Sequence, residues 1–370
     1  MASVRISAVR FQSLLNNRRM STSDLAELGT TVRPHDMLAE DQDVDFADLV
    51  VLAKAFKRPW SYLLIDEPER FPDAGDDNRT FANRNVPPSP DMLAELQAAD
   101  FILDSAAELF PDAGFTVPSI PANGVSATAL ADAIRQQLGV TTEQQLAAKD
   151  DFAALRLWVA AVHETGVYVA QRALKDPTIR ALSKTRDGRA IIVVDTGDTP
   201  YARIFSALHE YCHITLRSAG ICDLDDHSTI ERHCNAAAAS ILLPASLLDS
   251  EIPAGAFSAG ADSADANLKQ LSNRFHVSQA VLLIALRDHG SISQPTYEAM
   301  EARRAARRGG GKTPGGQYYP PATNRVGRLF ARRVVGAMSE GTIDRQDASV
   351  LLGIGEHIVD TFSAELAKGD

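Results

Sequence analysis

Two histidines four residues apart, with a glutamate directly after the first, occur in the segment ALHEYCHITL. These residues are His209, Glu210 and His213. On a helix, residues four apart lie one turn from each other on the same face, so both imidazoles can reach one metal ion. Glu210 points about 100° round the helix, where its carboxylate can take a proton from a water on that ion. The pattern predicts a hydrolytic metal centre with its own general base.

The alternative is a pair of surface histidines on an ordinary amphipathic helix. The predicted helix, TPYARIFSALHEYCHITLRS, is otherwise apolar around the pattern, with Ile204, Phe205, Leu208 and Ile214. Its histidines are therefore expected to be buried, where an imidazole without a polar partner is costly. The helix also follows a strand-like segment, the order in which a metallopeptidase offers an edge strand to a peptide. Both features favour the metal centre.

A zinc site of this kind needs a third protein ligand. A second helix is predicted over STIERHCNAAAASILL, with Ser228 or Thr229 as its cap and Pro244 after its end. Two antiparallel helices would bring Glu231 opposite the histidines, and the alanines from 236 to 239 permit close packing. The other candidate ligands are Asp223, Asp225, Asp226, His227 in the loop before the helix, His233 and Cys234.

All three cysteines of the chain lie near the pattern, at Cys212, Cys222 and Cys234. A low and odd count fits a reducing compartment without a disulfide framework. A thiolate metal site would need cysteines in CxxC spacing, which this sequence lacks. Cys212 and Cys234 are therefore interpreted as small core residues.

The elements that position these residues belong to a chain of 370 residues, long enough for two or three domains. GVYVA and RAIIVVD, with a polar turn at Asp187–Gly188, are predicted to form strands, and QYYPP is a further candidate. Most other segments show helical periodicity. The predicted fold class is α+β and mostly helical.

Charge and hydropathy exclude some classes of protein. The net charge of −11 argues against a nucleic-acid coat protein. No segment approaches the roughly 18 consecutive apolar residues of a membrane span, and the N-terminal residues lack the apolar stretch of a signal peptide. The expectation is a cytoplasmic protein without a membrane partner.

The two motifs together carry a family resemblance. LHEYCH followed by IERHCNAAAASILLP resembles the ImmA/IrrE family of HExxH metallopeptidases, over roughly residues 150 to 290. Alanine stands at position 237, where the family usually has phenylalanine. The residues that match the second motif are Glu231, Cys234, Asn235 and Pro244.

The resemblance implies a fold, a cofactor and a reaction. The fold would be a small gluzincin-like zincin, a short sheet plus two motif helices, flanked by helical domains. His209, His213 and Glu231 would bind Zn²⁺, with Mn²⁺ as the alternative metal, and Glu210 would be the general base. The substrate would be a repressor or another regulatory protein. The alternative function is an Xre-type transcription regulator, or a phage-immunity or toxin–antitoxin component, that uses the peptidase fold as a sensor or binding scaffold.

Residues 1 to 68 resemble an Xre/Cro-type helix-turn-helix domain, through LLNNRRMSTSDLAELG and FADLVVLAKAFKRPWSYLL. The recognition helix would lie near Thr31 to Glu40, with Pro34 inside it. Residues 36 to 48 hold six acidic residues and no Lys or Arg, and such a face repels a phosphate backbone. Two functions therefore stay open for this domain. One is DNA binding, and the other is docking to a protein or dimerisation.

The remaining boundaries follow from composition. From Arg303 to Arg333 the chain has nine basic residues and no acidic one. This segment is either a binding surface for nucleic acid or an acidic partner, or a solvated linker followed by an amphipathic helix. The predicted segments are 1–68 (helix-turn-helix), 69–150 (linker and helices), 151–255 (peptidase core), 256–300 (a helix-turn-helix-like pair) and 301–370 (basic loop and helical tail).

Overall fold

The structure is a computed structural model that describes residues 3–18, 20–26, 28–31, 33–56, 60–68, 90–120, 125–175, 179–218, 227–253, 255–258, 260–307 and 322–368. The chain forms two compact units, Met1–Asp100 and Phe101–Asp370. The fold is α+β and mostly helical, as predicted. In the described ranges, no helix is long and apolar enough to cross a membrane.

The first unit combines short helices with a two-stranded sheet. Strand β1 (Ser3–Ile6) pairs antiparallel with β2 (Gln42–Asp45). Phe11, Leu14 and Phe56 are fully buried in its core. Its helical segments are α1 (Ala8–Arg18), α2 (Thr22–Ala26), α3 (Pro34–Ala39), α4 (Phe46–Ala55) and a 3₁₀ turn (Trp60–Leu64).

Two sequence predictions for this unit are wrong. The sequence predicted only helices here, because strands of four residues, one of them the polar QDVD, are too short for an alternating pattern to be recognised. Pro34 does not lie inside a helix but opens α3 at its first turn, where the missing N–H breaks no intrahelical bond. Thr31 lies before that helix, and its backbone N–H donates to the Asp48 carboxylate.

The second unit is built around a three-stranded sheet of order β3-β5-β4. Its strands are β3 (Tyr168–Arg172), β4 (Ala181–Arg186) and β5 (Arg189–Asp195). β3 runs parallel to β5, whereas β4 runs antiparallel to it. The predictions of β3 and β5 are confirmed, but β4 was not predicted. The QYYPP candidate lies outside the described residues.

A tight turn joins β4 to β5. Asp187 and Gly188 have positive φ angles of 48° and 71°, as a two-residue hairpin of the type I′ class requires. Arg186 therefore pairs with Arg189 across the turn. The sequence indicated this turn but not the strand before it.

The remaining described elements of the chain are helical. The two that carry the HExxH motif and Glu231 are α9 (Pro200–Ser218) and α10 (His227–Leu242). The helices before them are α5 (Pro90–Leu109), α6 (Ala127–Leu138), α7 (Thr142–Leu146) and α8 (Asp151–Glu164). The helices after them are α11 (Ala245–Glu251), α12 (Ala261–Phe275), α13 (Gln279–Asp288), α14 (Gln294–Arg307), α15 (Ala322–Val326), α16 (Arg328–Ser339), α17 (Arg345–Leu352) and α18 (Val359–Lys368).

The C-terminal helices pack on β3. Gly327, between α15 and α16, has φ of +85°, and a Cβ there would lie 2.6 Å from the carbonyl oxygen of Val169. Only glycine tolerates both that conformation and that approach. The Arg172 guanidinium also donates to the Arg325 carbonyl. β3 is thus covered by the C-terminal segment, whereas β4 has no described strand on its outer side.

Most described arginines of the basic segment contact the chain itself. Arg303 and Arg307 both pair with Asp265, at 3.0 and 2.8 Å. On α16, Arg328 donates to the Leu366 carbonyl and Arg333 to the Tyr168 hydroxyl. These contacts join the C-terminal helices to each other and to β3. Binding of nucleic acid or an acidic partner by this segment stays a prediction, and its residues 308–321 lie outside the described part.

A buried histidine connects α8 to β3. The Val169 backbone N–H donates to Nε2 of His163, at 3.1 Å, and only 7% of His163 is exposed. Burial lowers the pKa of His163 from 6.5 to about 4. The imidazole is therefore neutral in the folded protein at neutral pH.

This shift predicts an acid-sensitive stability. Between pH 6.5 and about 4, the unfolded chain takes up a proton at His163 that the folded chain does not. The free energy of unfolding should therefore fall by up to about 3 kcal/mol as the pH drops through that window. Urea unfolding of the wild type and of His163→Gln, at pH 7 and pH 4.5, measures this contribution. Equal pH dependence in both proteins would contradict it.

Candidate metal centre

Helix α9 carries three of the predicted site residues. It begins at Pro200 and ends at Ser218, as the sequence predicted. Its apolar face is fully buried, with Leu208, Tyr211 and Cys212 among the core residues. The helix packs against β4 and β5, so that His209, Glu210 and His213 lie beside the sheet.

A buried arginine fixes the start of α9. Arg203 is 8% exposed, and its guanidinium donates to the carbonyls of Thr196 and Asp198 and to the Gln171 side chain. These acceptors lie at the ends of β3 and β5 and in the loop after β5. The helix therefore has a defined position relative to the sheet.

Helix α10 runs antiparallel to α9, as predicted. Glu231 near its start contacts His209 and His213, whereas Leu242 at its end lines a cavity together with Phe205. Cys234, Ala237 and Ala238 are fully buried. These small residues permit the close approach of the two helices. Ala237, at the position where phenylalanine was expected from the family resemblance, is part of the core.

The start of α10 differs from the prediction. The helix begins at His227, so that residue is not in a loop, and Ser228 and Thr229 lie in the first turn rather than preceding it. Ends of helices are the least certain feature of a sequence pattern. Asp223, Asp225, Asp226 and Cys222 lie outside the described residues.

Three potential ligand side chains form a small triangle. Nε2 of His209 lies 3.0 Å from Nε2 of His213. The Glu231 carboxylate oxygens lie 3.3 Å from Nε2 of His209 and 3.2 Å from Nε2 of His213. Ligands held at 2.0–2.1 Å in a tetrahedral arrangement are about 3.3 to 3.4 Å apart. The donor set and its spacing therefore fit one small divalent ion.

The described residues contain no other group of three His, Cys, Asp or Glu side chains close enough to hold a metal. His233 and Cys234 lie on the same helix as Glu231 but outside the triangle. The thiols of Cys212 and Cys234 are free and buried, and burial raises the pKa of each. Both cysteines are core residues, as interpreted from the sequence.

The charges and hydrogen bonds of the three side chains in the triangle change one another's pKa values. Hydrogen bonding with His209 and then with His213 lowers the pKa of Glu231 far below its usual range. Burial acts to lower the pKa of His209, but hydrogen bonding to Glu231 and the charge of Glu210 outweigh it, so the net shift is upward. Asn235, one turn after Glu231, also acts to raise the pKa of His209. A carboxylate anion thus faces two imidazoles at the helix interface.

Glu210 does not join the triangle but contacts the sheet. It is 4% exposed, and the Ser183 hydroxyl of β4 donates to its Oε2 at 2.6 Å. This hydrogen bond fixes the orientation of the carboxylate beside the edge strand. Sequence reasoning missed Ser183, because the strand that carries it was not predicted.

Comparison with known families agrees with this geometry. Residues 162–287 match the family model of the IrrE N-terminal-like domain, which is a metallopeptidase family. The matched range holds β3 to β5, α9, α10 and the whole triangle. The match does not extend to residues 1–68. A search of curated proteins found no significant match to the chain.

Proposed function

We propose that the chain is a zinc-dependent metallo-endopeptidase of regulatory type, which cleaves a repressor or another regulatory protein. The observation that carries the proposal is the triangle of His209, His213 and Glu231 next to a buried carboxylate on the same helix. A binding scaffold would have no need of a general base at that position. The match to a metallopeptidase family supports the same conclusion.

His209, His213 and Glu231 would hold the zinc ion through two imidazole nitrogens and a carboxylate. Zinc is preferred over manganese because imidazole and carboxylate ligands at this spacing suit tetrahedral coordination. When bound, the ion supplies Lewis acidity, which lowers the pKa of a coordinated water to about 7 and polarises the substrate carbonyl.

Glu210 would act as the proton carrier of the reaction. Its carboxylate accepts a proton from the attacking water and passes it to the nitrogen of the leaving amine. The Ser183 hydroxyl holds one carboxylate oxygen, Oε2, and so limits rotation of the side chain. Burial of Glu210 keeps competing water away from the carboxylate.

Strand β4 would position the substrate. It is an edge strand of the sheet, and Ser183 within it contacts the proposed base. A polypeptide bound as an additional strand along β4 would bring its backbone past Glu210. The C-terminal helices cover β3, whereas β4 has no described strand on its outer side.

The test of the proposal is the metal content. Elemental analysis of the purified protein should find one zinc ion per chain, and His209→Ala should lose it, because catalytic zinc sites need three protein ligands. His289→Ala, which removes a histidine outside the triangle, is the matched control and should retain zinc. A wild-type protein that binds no divalent metal would contradict the proposal.

Residues 1–68 carry a separate proposal. DNA binding by this unit would support the alternative function as a transcription regulator, and dimerisation would support protein docking. Asp36, Glu40 and Asp43 are exposed on and after α3, which favours a protein partner over a phosphate backbone.

A further inference from the structure

A cavity of about 360 Å³ lies beside the candidate metal centre. Its apolar wall includes Ala202 and Phe205 of α9, Leu242 at the end of α10 and Val281 in the first turn of α13. The Phe205 ring stacks on the His209 ring, with centroids 6.4 Å apart and planes inclined by 26°. The cavity therefore starts one helical turn from the triangle.

The same cavity reaches the beginning of the edge strand. Arg180, directly before β4, lines it together with Asp198, and these two side chains form an ion pair at 2.7 Å. Ser183, which contacts Glu210, lies three residues further along the chain. The cavity thus extends from the Phe205 ring, which stacks on His209, to Arg180, three residues before Ser183. A substrate residue next to the bond at Glu210 would meet its Phe205 side.

The cleft continues beyond this cavity. A second cavity of about 480 Å³ shares Tyr201, Val277 and Ser278 with the first. The two cavities therefore adjoin each other. Adjoining cavities can take different side chains of one extended polypeptide, because alternate side chains of a strand point to the same side.

We propose that the cavity at Phe205 is a specificity subsite, which takes an apolar side chain of leucine or phenylalanine size from a substrate residue next to the cleaved bond. This inference rests on the proposed peptidase function. Burial of an apolar side chain against Phe205, Leu242 and Val281 removes its surface from water. Arg180 and Asp198, which also line the cavity, form an ion pair, so their opposite charges offset each other.

Hydroxamates with different side chains test this subsite by binding rather than by turnover. One series consists of N-acetyl-aminoacyl hydroxamates and the other of succinyl hydroxamates, so that the side chain lies on either side of the metal-chelating group. Each series contains the glycine, leucine and phenylalanine derivatives. Calorimetry with the zinc-loaded full chain should give leucine or phenylalanine affinities about 10- to 100-fold above glycine in one series.

Two variants on the same helix locate the preference. Val281→Phe fills the cavity and should reduce the ratio of leucine to glycine affinity to less than about threefold. Ile284→Phe, three residues further on α13 and 39% exposed, adds a ring outside the cavity and should keep the wild-type ratio.

The outcomes separate the subsite from the peptidase centre. If the zinc-loaded protein binds glycine and leucine hydroxamates equally in both series, the subsite is wrong and the metal centre stands. If the preference survives in Val281→Phe or is lost equally in Ile284→Phe, the cavity at Phe205 is not its source. If no hydroxamate binds to the zinc-loaded chain, the proposed function fails and the subsite with it.

Discussion

Glu210→Gln is expected to lower the rate of substrate cleavage by about 10²- to 10⁴-fold, the range for loss of a positioned general base. The amide keeps the size of the side chain and still accepts the Ser183 hydrogen bond, but it takes no proton from water. Zinc binding should persist, because Glu210 is not part of the triangle. The rate of cleavage is measured with a protein that the wild-type enzyme cleaves. The zinc content of each enzyme sample is determined alongside.

Three further variants define what this loss means. Glu164→Gln removes an exposed carboxylate at the end of α8 and should leave cleavage unchanged. Ser183→Ala removes the group that orients the base and should cost about tenfold in kcat, with little change in KM, as for other partners that orient site residues. Ser183→Thr restores a hydroxyl and should recover part of the rate. Full cleavage by zinc-loaded Glu210→Gln would rule out the proposed mechanism.

The sequence was most informative where local periodicity and chemistry agree. Helix α9 could be predicted because its apolar stripe and the HExxH spacing both require a helix over the same residues. The prediction that Glu231 approaches His209 and His213 needed one long-range step, the antiparallel packing of α10. The alanines between 236 and 239 made that step reasonable, since small side chains allow close packing.

Strand β4 shows where this reasoning stops. ALSKTR has Lys184 and Arg186 among its six residues, so its hydropathy resembles that of a surface loop. The strand exists because the Asp187–Gly188 turn folds it onto β5. A turn in the sequence predicts a hairpin only when the segments on both sides are recognised as strands. The segment before this turn was not recognised. The hydrogen bond from Ser183 to Glu210 joins residues on β4 and α9, and serine is too common for such a pair to be found from composition.

The role of the C-terminal arginines could not be read from a charge count. The sequence shows nine basic residues without an acidic neighbour from Arg303 to Arg333. Several of the described arginines have partners on distant segments, such as Asp265 on α12 for Arg303 and Arg307. The carbonyls of Gly353 and Leu366 accept from Arg325 and Arg328, and the buried Tyr168 hydroxyl accepts from Arg333. No local charge pattern records these contacts. Basic segments therefore need the fold before they can be assigned to a binding surface.

Glu231→Gln is expected to weaken zinc binding by more than about 100-fold, because even partners outside the coordination sphere typically contribute 10- to 100-fold. The substitution removes the anion that faces both imidazoles and replaces it with a weak amide ligand. Competition with a chromophoric chelator measures the affinity, and His233→Ala on the same helix is the control, since His233 lies outside the triangle. Wild-type affinity in Glu231→Gln would move the third ligand to residues 223–227. Loss of zinc in Glu231→Gln but not in His233→Ala would instead assign the third ligand to Glu231 on α10. Antiparallel packing against α9 brings this residue to the histidines.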